Sequence, residues 1–268
     1  MRARVPASSI SGVVVSLARV EGRRSLVHPF FLAGLGFALI GSGLFIRASL
    51  TRSQVTWGDQ GWTVSVGFAV LAILTMMGAN HAALRDRRER TEEQHSMLPA
   101  GAPARTVGLL TAMLWPAVVT AMLLAGVAGF AAARGILIGG VEAVHLLERV
   151  VDVLTFGALG IAIAAWLPSP FVVPLVGWAM FLFTPSERPA SWHAIAPFVN
   201  LRSSELAMWH VAYLIGLTAI FASVALARSS ARLPSVLASG VIGIGIVATS
   251  AVILLTSACP AHGPCLLG

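Results

Sequence analysis

The chain has 268 residues, 57% of them apolar and only 11% charged, with a net charge of +7 and a mean hydropathy of +0.85. A soluble domain carries about 25% charged residues, so this composition excludes a water-exposed globule and points to an integral membrane protein. All eighteen basic residues are arginine, and without a lysine no Walker-type phosphate loop can be encoded, so any ATP used with this chain is hydrolysed by another.

Residues 1–28 form an arginine-bearing segment ahead of the first apolar run. A secretory signal places its apolar core nearer the start, so no cleaved signal is expected. Ile10, Val13, Val14, Leu17 and Val20 recur at helical spacing, with Ser11, Arg19 and Glu21 off that stripe. The pattern predicts a short amphipathic helix in the headgroup layer, or else a cytosolic extension of the first span.

Seven apolar runs follow, at about 29–46, 63–84, 107–133, 150–167, 171–183, 206–227 and 236–256. The fifth has thirteen residues with Pro174 inside it. A helix of that length rises about 20 Å, short of the ~30 Å hydrocarbon layer. It is therefore either continued by its neighbours or broken and shielded by protein. Residues 29–256 read as one all-α transmembrane domain of six to seven helices, and 257–268 as a tail. With the N-terminus inside, twelve arginines fall on the cytoplasmic side and six outside. Charge asymmetry of this kind sets topology in membrane proteins, so the net charge does not call for nucleic acid. The expected location is the cell membrane, multi-pass, with the N-terminus cytoplasmic and, after seven crossings, the C-terminus outside.

In the third run Ala117, Ala121, Ala125, Gly129 and Ala133 form a ladder of small residues on one face. Small residues let helix backbones approach closely, either at a seam to a second subunit or within the chain. Gly240, Gly243 and Gly245 offer the same choice in the last run. Trp115-Pro116 predicts a kink, because proline removes a backbone hydrogen bond.

Between the second and third runs lies "RDRRERTEEQHSMLPAGAPAR", residues 85–105, a dense mixed-charge segment. Thr91-Glu92-Glu93-Gln94 fits a capping box, two acids in a first turn suit the helix dipole, and Pro99 and Gly101 stop the helix soon after. The prediction is a helix over about 92–98 with Met97 and Leu98 as an apolar tip. Such an element either docks into a groove on a soluble partner or simply anchors topology as a solvated loop.

Asn80 and His81, near the cytoplasmic end of the second run, are candidates to line a cargo pathway or to reach the interface or a neighbouring carbonyl. Glu142, Glu148 and Asp152 read as the polar face of an external amphipathic segment, with Val141, Val144, Leu147 and Val151 on its other face. Cys259 and Cys265 flank a turn-forming "PAHGP" and are either disulfide-bonded, if the tail is outside the cell, or free. The seven histidines show no metal-ligand spacing, and neither a zincin motif nor a nucleophile elbow is present, so no catalytic, metal or cofactor site is expected in this chain.

The chain resembles the membrane subunit of ABC-2-type exporters, especially the compact permeases of high-GC bacteria. An "E-x-R-R-x-x-x-x-P"-like segment is matched by Glu21, Arg23, Arg24 and Pro29. An "R-x-x-T-E-E-…-L-P-…-A-R" segment is matched by Arg88, Thr91, Glu92, Glu93, Leu98, Pro99, Ala104 and Arg105. The resemblance implies that this loop is a cytoplasmic coupling helix seated in a separate ATP-hydrolysing subunit, with Arg88, Arg90, Thr91, Glu92, Glu93, Gln94, Met97, Leu98, Pro99 and Arg105 facing that partner. It implies ATP and magnesium on the partner, a homodimer or a heterodimer with a sister permease, and extracellular re-entrant helices over about 184–205. The common family plan has six spans, so the seventh run departs from it. The alternative function is a non-transporting multi-span immunity, assembly or signalling protein that docks a cytosolic partner through the same loop.

Overall fold

The computed structural model describes residues 7–51, 57–89, 101–135, 142–182, 204–229 and 233–258. Among these residues it is helical throughout, without strands. The helices are α1 (Ala7–Leu26), α2 (Pro29–Thr51), α3 (Trp57–Glu89), α4 (Gly101–Ala112), α5 (Leu114–Ala133), α6 (Ala143–Trp166), α7 (Val172–Leu182), α8 (Ser204–Arg228) and α9 (Leu233–Ala258).

Each predicted apolar run is helical, because in a bilayer the backbone polar groups have no water to turn to and must bond within the segment. Among the described residues five stretches are long and apolar enough to cross a membrane: Pro29–Leu50, Val64–Arg85, Ala102–Ala133, Ser204–Arg228 and Pro234–Thr256. The other two expected spans correspond to α6 and α7, which lie outside that set. With eleven residues, α7 rises only about 16 Å.

Close backbone crossings organise the bundle. Helices α2 and α3 are antiparallel, with Gly34 against the Leu71 Cα and Gly67 against the Phe37 carbonyl. Helices α8 and α9 are also antiparallel and cross at a reciprocal glycine pair, Gly216 and Gly243, each facing the other's carbonyl oxygen. Beside that crossing, Ser223 and Ser239 share a 2.8 Å hydrogen bond. Of the three glycines singled out in the last run, Gly243 packs within the chain, Gly240 lies against Ser223, and Gly245 meets open space.

The central element is α6, fourteen of whose 24 residues are buried. It packs on α3, α4, α5, α7 and α8. At Gly160 a side chain would collide with the Met76 carbonyl of α3, and at Gly157 the neighbour is Met113. The main apolar cluster joins Phe45 of α2, Phe68 of α3 and Phe156 of α6, all fully buried, with residues of α5 and Val173 of α7. Lipid is as apolar as these rings, so close packing rather than escape from water holds them together.

The helix is interrupted where the kink is predicted. The third run is two helices that meet at Met113, one residue past Ala112, whose carbonyl Pro116 leaves without its usual donor. The Met113 N–H bonds back only three residues, to the Leu110 carbonyl at 3.2 Å.

The packing stripe of α1 differs from the predicted one. Ala18 and Gly22 are buried, flanked by half-buried Val14, Leu17, Glu21 and Ser25, while Val13 and Val20 are 43% and 48% exposed. The stripe faces α4 and α5: Leu17 fits against Gly108, and Gly22 sits under the Trp115 indole. Small residues, which permit that approach, select the face.

Candidate functional site: the arginine-rich end of the bundle

Helices α4–α5 run antiparallel to α3 and α6, and α8 runs parallel to α6. The C-terminal ends of α3, α6 and α8 therefore meet the N-terminal end of α4. Arg85, Arg105 and Arg228 gather there, and α1 adds Arg24 and Glu21.

Glu21 is the hub. Arg85 donates to it through both terminal nitrogens, Nη1 to Oε1 at 3.1 Å and Nη2 to Oε2 at 3.2 Å. Arg24, one turn along α1, donates to Oε1 at 3.1 Å. The Glu21 side chain is only 12% exposed. Two-point guanidinium–carboxylate pairing in partial shelter fixes geometry and contributes on the order of 1 kcal/mol. Arg105 lies within electrostatic reach of both Glu21 and Arg85.

Behind the hub is a cavity of about 180 Å³. Arg105 and Thr106 of α4 and Arg228 and Ser229 at the end of α8 give it polar walls; Ala83 and Ile161 are apolar. Arg228 lies over the Trp166 ring, 5.8 Å from its centroid, and Trp166 is held by an Nε1–H bond to the Val224 carbonyl at 2.9 Å.

The elbow between α1 and α2 is capped by His28, whose Nδ1 accepts the Phe30 N–H at 3.4 Å, with Pro29 in the first helical position. The rings of His28, Phe30 and His81 form a cluster with centroids 5.3–5.9 Å apart. Burial, with His81 and then Arg85 nearby, holds the His28 imidazole below its ordinary range.

Asn80 and His81, paired in sequence as pathway candidates, turn to different neighbours. Asn80 is 1% exposed and donates from Nδ2 to the Gly160 carbonyl at 3.2 Å, tying α3 to α6. His81 is half-buried in the elbow cluster. In the alanine ladder, Ala117 is buried and Ala121 half-buried, whereas Ala125, Gly129 and Ala133 are exposed. Packing within the chain thus accounts for the end nearest the kink only. Among the coupling residues, Arg88 belongs to the last turn of α3 and Arg105 to α4. Arg90, Thr91, Glu92, Glu93, Gln94, Met97, Leu98 and Pro99 lie outside the described residues, as do Cys259, Cys265 and nearly all of 184–205.

One sequence expectation is reversed. Glu148 and Asp152 do not form an outer polar face: each is 1% exposed, Arg149 between them is 4% exposed, and Leu147 is 48% exposed. Glu142 alone of the three acids is exposed. The polar stripe of α6 turns inward to α8. His210 Nδ1 lies 2.6 Å from Glu148 Oε1, and Arg149 donates to Asp152 Oδ2 at 3.0 Å with Glu148 at 3.7 Å. Further along the same interface Thr155 and Thr218 share a 2.8 Å bond. His145, Glu148, Arg149 and Asp152 recur every three to four residues, a one-sided pattern that sequence carries without saying which way it faces.

These features define an all-helical membrane protein with polar joints at both ends of its bundle. Compared with known proteins, the chain matches no protein-family model and no curated relative.

Proposed function

We propose that the chain is the permease subunit of an ATP-driven exporter of the ABC-2 type, working as a dimer with separate ATP-hydrolysing subunits. The observation that carries this reading is the Glu21 hub. It clamps the N-terminal helix to Arg85, where α3 leads into the 85–105 segment, and Arg105, just inside α4, lies close by. A push on that segment by a soluble partner is thereby delivered to α1, α3 and α4 together. Residues from both family-like segments, Glu21 of the first and Arg105 of the second, share this joint.

In this reading the arginine-rich end faces the cytoplasm, in keeping with the positive-inside bias. Helix α1 lies along the inner surface. The 92–98 helix seats in the ATPase. Helix α6 crosses the bilayer with its charges shielded by α8, α7 starts back from the inner end where α6 finishes, and the segment behind it re-enters from the outer side. The exposed small residues Ala125, Gly129 and Ala133 supply a close-approach face for the second permease. Chemistry stays on the partner, and the permease contributes shape and differential affinity for cargo.

The test is purification from native membranes in mild detergent, with mass spectrometry of what stays bound. The expected result is a stoichiometric ATPase that is lost in Glu92→Arg/Glu93→Arg while the helices stay folded. A chain that emerges alone, or with a partner that hydrolyses no ATP, overturns the exporter reading in favour of a non-transporting docking protein.

A further inference from the structure

The cavity behind the Glu21 hub plays no part in the coupling proposed for that end of the bundle. Its deep side is apolar: Leu109 of α4, Ile161 of α6 and Ala225 of α8 are buried there. Its mouth is cationic, with Arg228 exposed at the end of α8 and Arg105 half-buried on α4. No carboxylate is among the residues that line it. Thr106 and Ser229 add hydroxyls, but each donates to a carbonyl of the preceding turn, Ala102 at 3.3 Å and Leu226 at 2.8 Å. Among the lining side chains, the donors for a ligand are therefore the guanidinium N–H groups.

Arg228 is set in place for that role. It lies 5.8 Å from the centroid of the Trp166 ring, and the Trp166 indole is itself fixed by its bond to the Val224 carbonyl. Cation–π attraction restrains a guanidinium without consuming its five N–H donors. Two arginines on separate helices, facing one small volume, suit an anion that both can bond, and phosphate matches the paired donors of a guanidinium. Depth in the membrane selects the form of that phosphate. Ala102 begins and Arg228 ends a stretch long and apolar enough to cross, and Ala83 lies just before the end of another, at Arg85. The cavity thus sits where helices leave the hydrocarbon, at the level of lipid headgroups. Trp166, 54% exposed at its edge, is a residue type that favours this layer. A volume of about 180 Å³ equals that of about six waters at ~30 Å³ each, which is room for a phosphate group.

We propose that this cavity binds the phosphate of an anionic phospholipid headgroup, anchored by Arg105 and Arg228, and that the bound lipid bridges α4 and α8. Basic pockets between membrane helices hold such headgroups by charge and by donor geometry together. The acyl chains remain outside, in the bilayer. The assignment stands whether or not the chain exports anything.

The experiment is native mass spectrometry of the full chain in a non-ionic detergent, titrated separately with phosphatidylglycerol, phosphatidylcholine and glycerol phosphate. The expected result is one phosphatidylglycerol per chain, bound about tenfold more tightly than phosphatidylcholine and not displaced by glycerol phosphate. Loss of one charge-assisted contact is expected to weaken it about tenfold in Arg228→Gln and in Arg105→Gln. Arg19→Gln, which removes an exposed arginine of α1 that does not line the cavity, is expected to leave the affinity unchanged. Equal affinity for the two lipids in the unaltered protein overturns the proposal, and that comparison needs no variant to fold. Equal losses in Arg19→Gln and Arg228→Gln overturn it too, because they mean attraction to surface charge at large. Binding of glycerol phosphate as tight as that of the lipid overturns the lipid assignment in favour of a soluble phosphate ligand.

Discussion

At the scale of single residues, glycines and histidines are specified by what lies against them. Gly160 permits the crossing of α3 and α6, and the Asn80 amide bonds to its carbonyl at 3.2 Å across the contact. A methyl group there meets backbone, which cannot swing aside, so Gly160→Ala is expected to destabilise by about 1–3 kcal/mol. Gly126, with open space around it, is the control: Gly126→Ala is expected to be neutral or stabilising by up to about 1 kcal/mol from helix propensity. Thermal unfolding in lipid bilayers, run side by side, checks both. His28 behaves differently because it titrates. Its imidazole is held below the ordinary 6.5 by burial and by His81 and Arg85, so the folded state resists its protonation. Stability at the elbow is therefore complete above about pH 6.5 and declines as pH falls below it. Amide protection in the first turn of α2, the exchange rate taken relative to the intrinsic rate at each pH, is expected to fall below pH 6 in the natural protein and to lose that dependence in His28→Gln. Protection that does not change with acid in the natural protein contradicts this account.

At the scale of elements, sequence carried the existence and type of the helices and the break ahead of Pro116, but not the direction their faces point. In water an apolar stripe must turn inward. In lipid it need not, and the close fit of Ala18 and Gly22 decides the contact face of α1, leaving Val13 and Val20 outside. The same loss of polarity as a guide explains α6, where His145, Glu148, Arg149 and Asp152 form a stripe that fits a surface helix or a sealed interface equally well. Only the partner on α8 distinguishes them. His210 and Glu148, 62 positions apart, carry no local signal of their pairing.

At the scale of the whole molecule, the bundle has two ends of different character. One gathers arginines at helix termini, two of them tied to a single glutamate, with a small polar-walled cavity behind them. Towards the other, ionisable groups are sealed between α6 and α8. The first was partly legible, because the density of arginine around 85–105 and the Glu21 segment stand out in a sequence this apolar. The cavity was not, since Ala83, Arg105, Ile161 and Arg228 come from four helices and converge only on folding.

The sealed charges of α6 also bear on how the chain is made. Ionised residues near the middle of a segment each cost roughly 2.5–3.5 kcal/mol on entering a bilayer, less towards its ends. Helix α6 carries Glu148, Arg149 and Asp152, yet His210, which pairs with Glu148, is synthesised dozens of residues later. The ribosome thus delivers α6 to the membrane before its counterpart exists. A chain truncated ahead of Ser204 is expected to leave α6 at the membrane surface, open to added protease, and extension through Arg228 to bury it. Equal protection of both lengths would mean that α6 enters unaided. On this view the order of translation, and not the finished contacts alone, dictates when the last helices become indispensable.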